Sequence, residues 1–209
     1  MFSVPGQTRE DWGQTLDQAL ALEPDHLSAY NLTYEEDTPF FDQLAAGQCT
    51  DDPDLNAAMF SLAHQRLTAA GFRHYETSNY ARPGHESRHN QAYWRGADYL
   101  GLGPSAVSTI SARRWKNVPD TDRYLTMVQQ VGHAAWETEL LTPEQLRLER
   151  IALLLRTDHG VPVEHLVDVG EERIEQLVSG GLARREDGHL RLTGRGPLLV
   201  DSAVEHLVT

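Results

Sequence analysis

Hydrophobic positions in the first third of the chain switch between the spacing of strands and the spacing of helices. The runs "MFSV" at 1–4 and "HLSAYNLTY" at 26–34 are typical of strands. Between them a helix is predicted by apolar residues at helical spacing: Trp12, Leu16, Ala19 and Leu20. Thr8 and Asp11 form the capping signature that would begin this helix. A strand, a crossover helix and a second strand predict a parallel βαβ unit, as at the tail of a larger sheet or barrel.

The middle of the chain predicts one clear helix followed by a long irregular stretch. The run "PDLNAAMFSLAHQRLTAA" follows Asp52, which can begin a helix, and Gly71 can end it. "FRHYETSNY" at 72–80 then predicts a strand. Residues 81–111 are rich in Gly, Pro, His, Asn and aromatic residues and show little periodicity. Irregular stretches of this length are usually functional or mobile.

The last third predicts a winged-helix-like module. Its predicted elements are three helices, a hairpin and a final helix: "TPEQLRLERIALLLRT", "VEHLVDVG", "EERIEQLVSG", "LARREDGHLRLT" and "GPLLVDSAVEHLV". Asp187 and Gly188 supply the residues that a two-residue hairpin turn needs. The helix "EERIEQLVSG", where a DNA-recognition helix would stand, carries acidic residues that phosphates repel. We therefore expect a packing or partner module and no nucleic-acid partner.

Composition narrows the class of protein further. The 209 residues are 40% hydrophobic and 23% charged, which is typical of a globular protein. No apolar run approaches the roughly 18 residues of a membrane span, and no secretory signal opens the chain, so a cytoplasmic location is expected. The formal charge of −13 disfavours a nucleic-acid surface. The single cysteine, Cys49, can form neither an intrachain disulfide nor an iron-sulfur cluster by itself.

Three polar or glycine-rich segments each admit two interpretations. "VPGQT" at 4–8 can face a ligand at the carboxyl end of a strand, or can be a plain turn before a capped helix. Asn31, Thr33 and Glu35 alternate with apolar neighbours and can contact a ligand or neighbouring loops. "DYLGLGPSAVST" at 98–109 lacks the order of a dinucleotide or P-loop site. Its glycines allow close approach by a ligand, or form a tight structural turn.

The segment "SRHNQAYWRG" at 87–96 carries the most specific chemistry. His89 can ligate a haem iron or exchange protons, and Tyr93 and Trp94 offer flat apolar area. Arg88 and Arg95 could pair with propionates. On these residues alone, a hydrogen-bonded histidine beside core aromatics is the favoured alternative. The remaining histidines show no paired ligand spacing and are expected at the surface or at helix ends: His26, His64, His74, His85, His133, His159, His165, His189 and His206.

Several motifs, in order, resemble one protein family over essentially the whole chain. They are "VPGQT", "HLSAYNLTYEEDTP", "NYARPGHESRHNQAYWRGADYLGLGPSA", "RWKNVPD" and "LVSGGLARREDGHLRLTGRGPLLVD". The sequence resembles the C-terminal half of HemW proteins, radical S-adenosylmethionine relatives that are similar to oxygen-independent coproporphyrinogen III oxidases. The resemblance implies an α/β fold, in which the C-terminal part of a partial (β/α)6 barrel (residues 1–135) precedes a winged-helix-like α+β domain (136–209).

The resemblance also implies cofactors and site residues. The family uses S-adenosylmethionine and a 4Fe-4S cluster, and its HemW branch implies haem binding and delivery to haemoproteins. His89, Asn90, Tyr93 and Trp94 match the proposed haem motif, with His89 as the candidate iron ligand. S-adenosylmethionine contacts in the related oxidases correspond to Thr33 and Val107.

Two departures from the family pattern shape the expected function. The sequence has no CxxxCxxC motif, so we expect this chain alone to be catalytically inert. Val107 stands where HemW members usually carry histidine and the oxidases carry an aliphatic residue. These departures leave two alternatives to haem delivery as the function. One is an enzyme that catalyses oxidative decarboxylation of coproporphyrinogen III, and the other is a haem- or partner-binding module that catalyses no reaction. The predicted leading strand could also pair with a second copy, because exposed strand edges template association.

Overall fold

The computed structural model describes residues 1–208; Thr209, the last residue of the expected second domain, lies outside the described residues. It is a mixed α/β structure. The α-helices of the described chain are α1 Arg9–Ala21, α2 Pro39–Ala45, α3 Pro53–Ala69, α4 Arg88–Trp94, α5 Thr121–Val131, α6 Pro143–Leu154, α7 Glu171–Ser179 and α8 Val200–Val208. Its strands are β1 His26–Ser28, β2 Arg73–Glu76, β3 Asn79–Ala81, β4 Val107–Ile110, β5 Arg113–Asn117, β6 Ala135–Leu140, β7 Val161–Pro162, β8 Ala183–Glu186 and β9 His189–Leu192. Short 3₁₀ turns cover Val163–Leu166 and Gly196–Leu199.

The first sheet has the strand order β1-β3-β2, with both pairs antiparallel. The single strand expected over 72–80 is therefore a hairpin, β2 and β3, which is a correction. Glu76 lies at this reversal, where hydrogen bonds from the Asn79 side chain and from the backbone of Ser78 and Asn79 lower the pKa that burial raises. Its Oε1 atom has no hydrogen-bond partner within the described residues. A buried carboxylate thus lies at a turn that carries no glycine or proline signal.

Parallel pairing of the predicted βαβ unit is limited to one bridge, Phe2 to Asn31. The Phe2 N–H donates to the Tyr30 carbonyl oxygen at 2.9 Å, and the Leu32 N–H donates to the Phe2 carbonyl oxygen at 3.0 Å. The two predicted strands are shorter than expected, because β1 forms its backbone hydrogen bonds with β3 and not with the first strand. The edge predicted to template a second copy is reduced to this bridge.

Helices α1 and α3 pack together over this sheet and form the first core. Its buried residues are Phe2, Trp12, Leu16, Ala29, Met59, Ala63, Leu67, Phe72 and Tyr80. The indole N–H of Trp12 donates to the Met59 carbonyl oxygen at 3.0 Å, which ties the two helices together. The capping box of Thr8 and Asp11 is present, so the helix start predicted from sequence is confirmed.

A second antiparallel sheet, in the order β4-β5-β6, follows. The stretch 81–111 was expected to be irregular, yet it contains α4 and β4, which is a second correction. Hydrophobic periodicity did not predict helix α4, because its residues are polar and aromatic and none is fully buried. The expected domain boundary between 135 and 136 falls at the start of β6, which pairs with β5 up to Leu140.

The residues after β6 form a second core of helices α6, α7 and α8 around the sheet β7-β9-β8. Its buried residues are Ile151, Leu155, Val161, Leu166, Val169, Ile174, Leu177, Ala183, Leu190, Ala203 and Leu207. The predicted hairpin is present, with Asp187 at φ 49° and Gly188 at φ 74° in its tight turn. The predicted short helix at "VEHLVDVG" is a 3₁₀ turn, Val163–Leu166.

Direct bonds join this C-terminal unit, residues 141–208, to the preceding part of the chain. The Asp158 N–H donates to the Tyr75 carbonyl oxygen at 3.2 Å. The Arg73 Nε donates to Asp158 Oδ2 at 2.6 Å. The Arg114 guanidinium on β5 donates to both Glu149 carboxylate oxygens on α6, at 2.7 and 2.8 Å. The unit therefore docks against both N-terminal sheets.

Candidate functional site

Helix α4 displays the haem-motif residues. The Ser87 hydroxyl accepts a hydrogen bond from the Asn90 N–H at 3.3 Å and so caps the start of the helix. At its end, the Gly96 N–H donates to the Tyr93 carbonyl oxygen at 2.8 Å. Gly96 has a φ of 60°, a conformation in which glycine is favoured.

The four predicted haem residues lie together on α4. His89 and Tyr93 are one turn apart, as are Asn90 and Trp94, so the two pairs occupy adjacent stripes of the helix. His89 is exposed, whereas the other three are half-buried. The His89 and Tyr93 rings meet edge to face at 4.8 Å, and Tyr93 contacts Tyr99 at 4.6 Å between ring centroids. The motif thus presents an accessible imidazole at one end of an aromatic row.

Beneath α4 lies Tyr75, a residue that sequence reasoning did not identify. Its hydroxyl lies 2.8 Å from His26 Nε2 and accepts from the Ser87 N–H at 3.4 Å. Burial raises the pKa of Tyr75, and hydrogen bonds from Ser87 and Asn90 partly offset that rise. Tyr75 therefore anchors the first turn of α4 to strand β2.

On one side of α4 a cleft of about 340 Å³ separates it from the C-terminal unit. We call it the junction cleft. It is lined by Arg73, Tyr75, Gln91, Trp94, Arg95, Leu154, Thr157, Asp158, His159, Gly160, Pro162 and His189. Within the described residues, the buried Trp94 Nε1 and Asp158 Oδ1 atoms have no hydrogen-bond partner. Two residues that line this cleft thus each carry a buried polar atom without a hydrogen bond.

On the other side of α4 a cleft of about 360 Å³, the sheet cleft, separates it from β4, β5 and α6. Its walls include Tyr93, Tyr99 and the ion pair of Arg114 with Glu149. Arg150 also lines it, and its guanidinium lies so near Gly96 that an added Cβ would be 3.0 Å away. The C-terminal unit therefore supplies one wall of each cleft that borders α4.

The two candidate S-adenosylmethionine residues lie apart from these clefts. Thr33 is exposed just after the Phe2–Asn31 bridge. Val107 is half-buried at the start of β4, opposite Lys116 of β5. In the part of the chain that the structure describes, neither residue lines the junction cleft or the sheet cleft.

The glycine-rich segment is held by the chain's own groups. A Cβ added to Gly101 would lie 2.2 Å from the Val107 carbonyl oxygen, so the close approach here is by backbone. The Asn117 side-chain amide donates to the carbonyl oxygens of Gly101 and Gly103, at 3.3 and 3.0 Å. The Gly101 N–H donates to the buried Ser108 hydroxyl at 3.0 Å. These contacts favour the tight structural turn of the two interpretations.

The structure likewise shows no ligand-binding arrangement in the described residues of the other two polar segments. In "VPGQT", the Gln7 N–H donates to the Val4 carbonyl oxygen at 2.9 Å, which closes a turn before the capped helix. Asn31, Thr33 and Glu35 are all exposed, whereas Leu32 between them is buried. The expected alternation is present, but the polar positions need no buried partner.

The sequence predicted the remaining histidines at the surface or at helix ends. His74 differs, because it is half-buried within strand β2. His74 stacks on Tyr80 with ring centroids 4.2 Å apart, and burial lowers the pKa of His74 to about 4. Burial likewise lowers the pKa of His64, whose ring meets that of His74 at 5.3 Å. Glu76 beside them is 3% exposed, and burial raises its pKa. His74 and Glu76 of the hairpin thus form a titratable cluster with His64 of α3.

Neither a multi-residue metal site nor a membrane-spanning helix is found among residues 1–208. Among residues 1–208, no group of three or more His, Cys, Asp and Glu side chains is arranged to hold a metal ion. None of the helices within the same residues has the length and apolar character needed to cross a membrane.

Comparison with known proteins identifies the C-terminal unit first. Residues 141–199 match the HemN C-terminal domain family. The fold of the whole chain is similar to that of coproporphyrinogen III oxidase (HemN) from Escherichia coli, a radical SAM enzyme. The TM-score is 0.73 at 21% identity, over 99% of this chain and 53% of that one.

Over its whole length the chain is similar to HemW proteins. It is 35% identical to the heme chaperone HemW of Mycobacterium tuberculosis over 209 residues, which are 100% of this chain and 54% of the relative. It is 36% identical to the mouse mitochondrial radical S-adenosyl methionine domain-containing protein 1, over 97% of this chain and 50% of the relative. The chain therefore spans about half the length of the curated relatives it matches. The resemblance to HemW-type proteins is confirmed.

Proposed function

We propose that this chain is the haem-binding C-terminal part of a HemW-like radical S-adenosylmethionine protein that delivers haem to haemoproteins. Its relatives in Mycobacterium tuberculosis and Synechocystis are described as heme chaperones. The observation that carries the proposal is helix α4, which holds the exposed His89 beside the ring row of Tyr93 and Tyr99.

The residues of α4 fit a flat, iron-containing ligand. Haem iron takes an axial nitrogen ligand, and His89 is the candidate because its imidazole is exposed. Tyr93 and Trp94 provide flat apolar surface, and Asn90 holds the helix against Tyr75. An accessible imidazole suits a haem carrier, since a client protein must be able to replace that imidazole as the iron ligand.

The architecture proposed for this function follows the family. Residues 1–135 would form the last part of a partial (β/α)6 barrel, and residues 136–209 a winged-helix-like domain. The match to the HemN C-terminal domain at 141–199 supports the second assignment. We place the protein in the cytoplasm, with haem and haemoprotein clients as its partners and with a homodimer as a possible assembly.

S-adenosylmethionine and a 4Fe-4S cluster belong to the proposed full-length protein. Thr33 and Val107 would contact S-adenosylmethionine by resemblance. A cluster held by three cysteines does not fit this chain alone, which contains one cysteine. We therefore propose that the chain alone is catalytically inert, and formation of 5′-deoxyadenosine from S-adenosylmethionine by this polypeptide would contradict that.

The proposal is tested by titrating the protein with haem and following the Soret band. We expect saturable 1:1 binding by the natural sequence and weaker binding by His89→Ala. His133→Ala, which changes another exposed histidine, is the matched control. Haem binding by His89→Ala that equals the control would exclude His89 as iron ligand, and absence of binding by the natural sequence would contradict the function.

Oxidative decarboxylation of coproporphyrinogen III is the second candidate function. Val107 favours it, because an aliphatic residue is expected at this position in the oxidases. Turnover of coproporphyrinogen III by a full-length, cluster-loaded protein would support the oxidase, whereas haem binding without turnover would support the carrier.

A further inference from the structure

The Tyr75 hydroxyl connects strands β1 and β2 to the start of helix α4. Tyr75 is buried, and its ring meets that of His26 edge to face with 5.7 Å between centroids. The hydroxyl oxygen lies 2.8 Å from His26 Nε2 and 3.4 Å from the backbone nitrogen of Ser87, whose N–H donates to it. Ser87 caps α4, and the N–H of a capping residue has no acceptor within its own helix. Tyr75 therefore supplies the acceptor that this N–H lacks.

The donors and acceptors at the phenol oxygen fix the protonation state of His26. A phenol oxygen has one proton to donate and two lone pairs that accept. Hydrogen bonds from the Ser87 backbone and the Asn90 side chain both lower the pKa of Tyr75, which is the effect of groups that donate to this oxygen. Because both lone pairs are used, the phenol proton is left for His26 Nε2. His26 is then the neutral imidazole, with its own proton on Nδ1.

Protonation of His26 is incompatible with this set of bonds. An imidazolium has an N–H group at each ring nitrogen, so Nε2 can then only donate. The phenol proton must turn away from Nε2, and the new Nε2–H needs a lone pair that Ser87 or Asn90 uses. One hydrogen bond to the first turn of α4 is therefore lost when His26 becomes charged.

His26 lies on the side of the first sheet that faces away from the core under α1 and α3. Its neighbour Leu27 packs into that core, and successive strand residues point to opposite faces. Across Ala81 of β3, His26 stands in one row with Arg73 of β2. Besides Tyr75, the titratable and charged groups of the elements around His26 are Arg73, Glu86, Asp158, Asp25 and His85, with Arg88 and His89 of α4.

The charges nearest to His26 are paired with one another. Arg73 binds Asp158 at 2.6 Å and Glu86 at 3.6 Å, and His85 binds Asp25 at 3.5 Å. Burial lowers the pKa of His26 below its ordinary value of 6.5. His26 is therefore neutral at neutral pH and takes up a proton in mildly acidic solution.

We propose that Tyr75 is a positioning residue for helix α4, and that protonation of His26 releases the start of the helix from it. The inference rests on the proposed haem-binding function and deepens it, because it adds a regulation of the same site by pH. His89 stands between Ser87 and Asn90 in the first turn, so the bonds to Tyr75 also place its imidazole. A neutral His26 holds α4 in the binding arrangement, and a charged His26 favours release of haem.

Hydrogen exchange of the α4 amide groups, followed by mass spectrometry, tests the positioning role without any ligand. Tyr75→Phe removes only the hydroxyl, and at pH 7 its α4 amides should exchange about fivefold faster than those of the natural sequence, the effect of one lost hydrogen bond. Tyr80→Phe is the matched control, because the buried Tyr80 hydroxyl has no hydrogen-bond partner within the described residues. Equal exchange of α4 in the two variants would overturn the inference.

His26→Gln separates the charge of His26 from its hydrogen bond, and it serves if Tyr75→Phe folds poorly. The glutamine carbonyl oxygen can accept the phenol proton as the neutral imidazole does, but it takes up no charge. Between pH 7 and about 5, corrected for the intrinsic pH dependence of exchange, the α4 amides of the natural sequence should exchange about fivefold faster. His26→Gln should show no such rise, whereas the exposed His133→Gln should behave as the natural sequence. Identical pH profiles for His26→Gln and His133→Gln would exclude the role of His26.

Haem titration of the same proteins connects the helix to the proposed function. At pH 7 Tyr75→Phe should bind haem about fivefold more weakly than Tyr80→Phe. Acidification should weaken haem binding less in His26→Gln than in the natural sequence; protonation of His89 is common to both and cancels. If haem binds and these affinities agree, the inference fails and the function stands. If the exchange results are as expected and the natural sequence binds no haem, the function fails and the anchoring of α4 by Tyr75 stands.

Discussion

The backbone N–H of Thr77 donates to the carbonyl oxygen of Arg156 at 2.9 Å, and the Thr77 hydroxyl donates to the same oxygen at 3.2 Å. The neighbouring Glu76 and Thr157 form an isolated antiparallel bridge. The turn of the β2–β3 hairpin is therefore hydrogen-bonded to the C-terminal unit through its main chain.

Thr77→Pro should loosen this attachment, because proline removes the donating N–H. Glu76 before it is in a strand, a conformation that a following proline accepts. We expect a loss of about 1–3 kcal/mol in the free energy of unfolding, measured by urea denaturation. Thr77→Val, which removes only the hydroxyl, is the control and should lose less; equal losses would show that the N–H bond contributes nothing.

The contribution of His74 to stability should fall as the pH decreases from about 6.5 to about 4. Its pKa is lowered to about 4 in the folded protein, so in this window the unfolded chain binds a proton that the folded chain does not. The difference from 6.5 corresponds to roughly 3 kcal/mol at most. His74→Gln, whose amide can still donate to the Thr77 carbonyl oxygen, should flatten the Tm against pH between these limits. An unchanged slope would contradict the assignment to His74.

Glu76→Gln should raise the Tm at neutral pH. Burial raises the pKa of Glu76, so the folded state disfavours the ionised carboxylate, and the contribution of Glu76 to stability falls as the pH rises above about 4.5. Glutamine keeps the acceptor for Ser78 and Asn79 without the charge. The gain should shrink as the pH falls towards 4, and the exposed Glu164→Gln should show no such dependence. A lower Tm for Glu76→Gln at pH 7 would refute this account.

Gly101→Ala should destabilise the glycine-rich turn. The added Cβ would lie 2.2 Å from the Val107 carbonyl oxygen, so backbone must move, at a cost of about 1–3 kcal/mol. Gly170→Ala adds the same methyl group where nothing lies within 4 Å. Thermal unfolding of both variants checks this, and similar Tm values would mean that the turn accommodates a side chain freely.

Local signals in the sequence predicted the elements whose cause is local. The capping box of Thr8 and Asp11 and the tight turn of Asp187 and Gly188 depend on residues within four positions of one another. The β2–β3 hairpin was missed because its turn carries no glycine or proline and has a buried carboxylate, Glu76, beside it. Whether a carboxylate is buried depends on packing by distant segments, which sequence periodicity does not report.

The candidate site likewise contains residues that a local motif predicted and residues that only the fold brings together. The cluster of His89, Tyr93 and Trp94 is visible as a motif, since its members share one short helix. The junction cleft was not predicted, because Arg73 and His189 meet there from positions 116 residues apart. No spacing in the sequence predicts that such a pair meets. The only local signal near His189 was the hairpin turn that precedes it.

Helix α4 is a partition shared by two clefts, with Trp94 on one side and Tyr93 on the other. Leu154 and Leu153 of α6 complete the same division from the opposite wall. Occupancy of one compartment that shifts this partition changes the affinity of the other, and by thermodynamic linkage the effect is equal in both directions. Any ligand that displaces this seven-residue helix from one side would therefore reshape the cleft on the other.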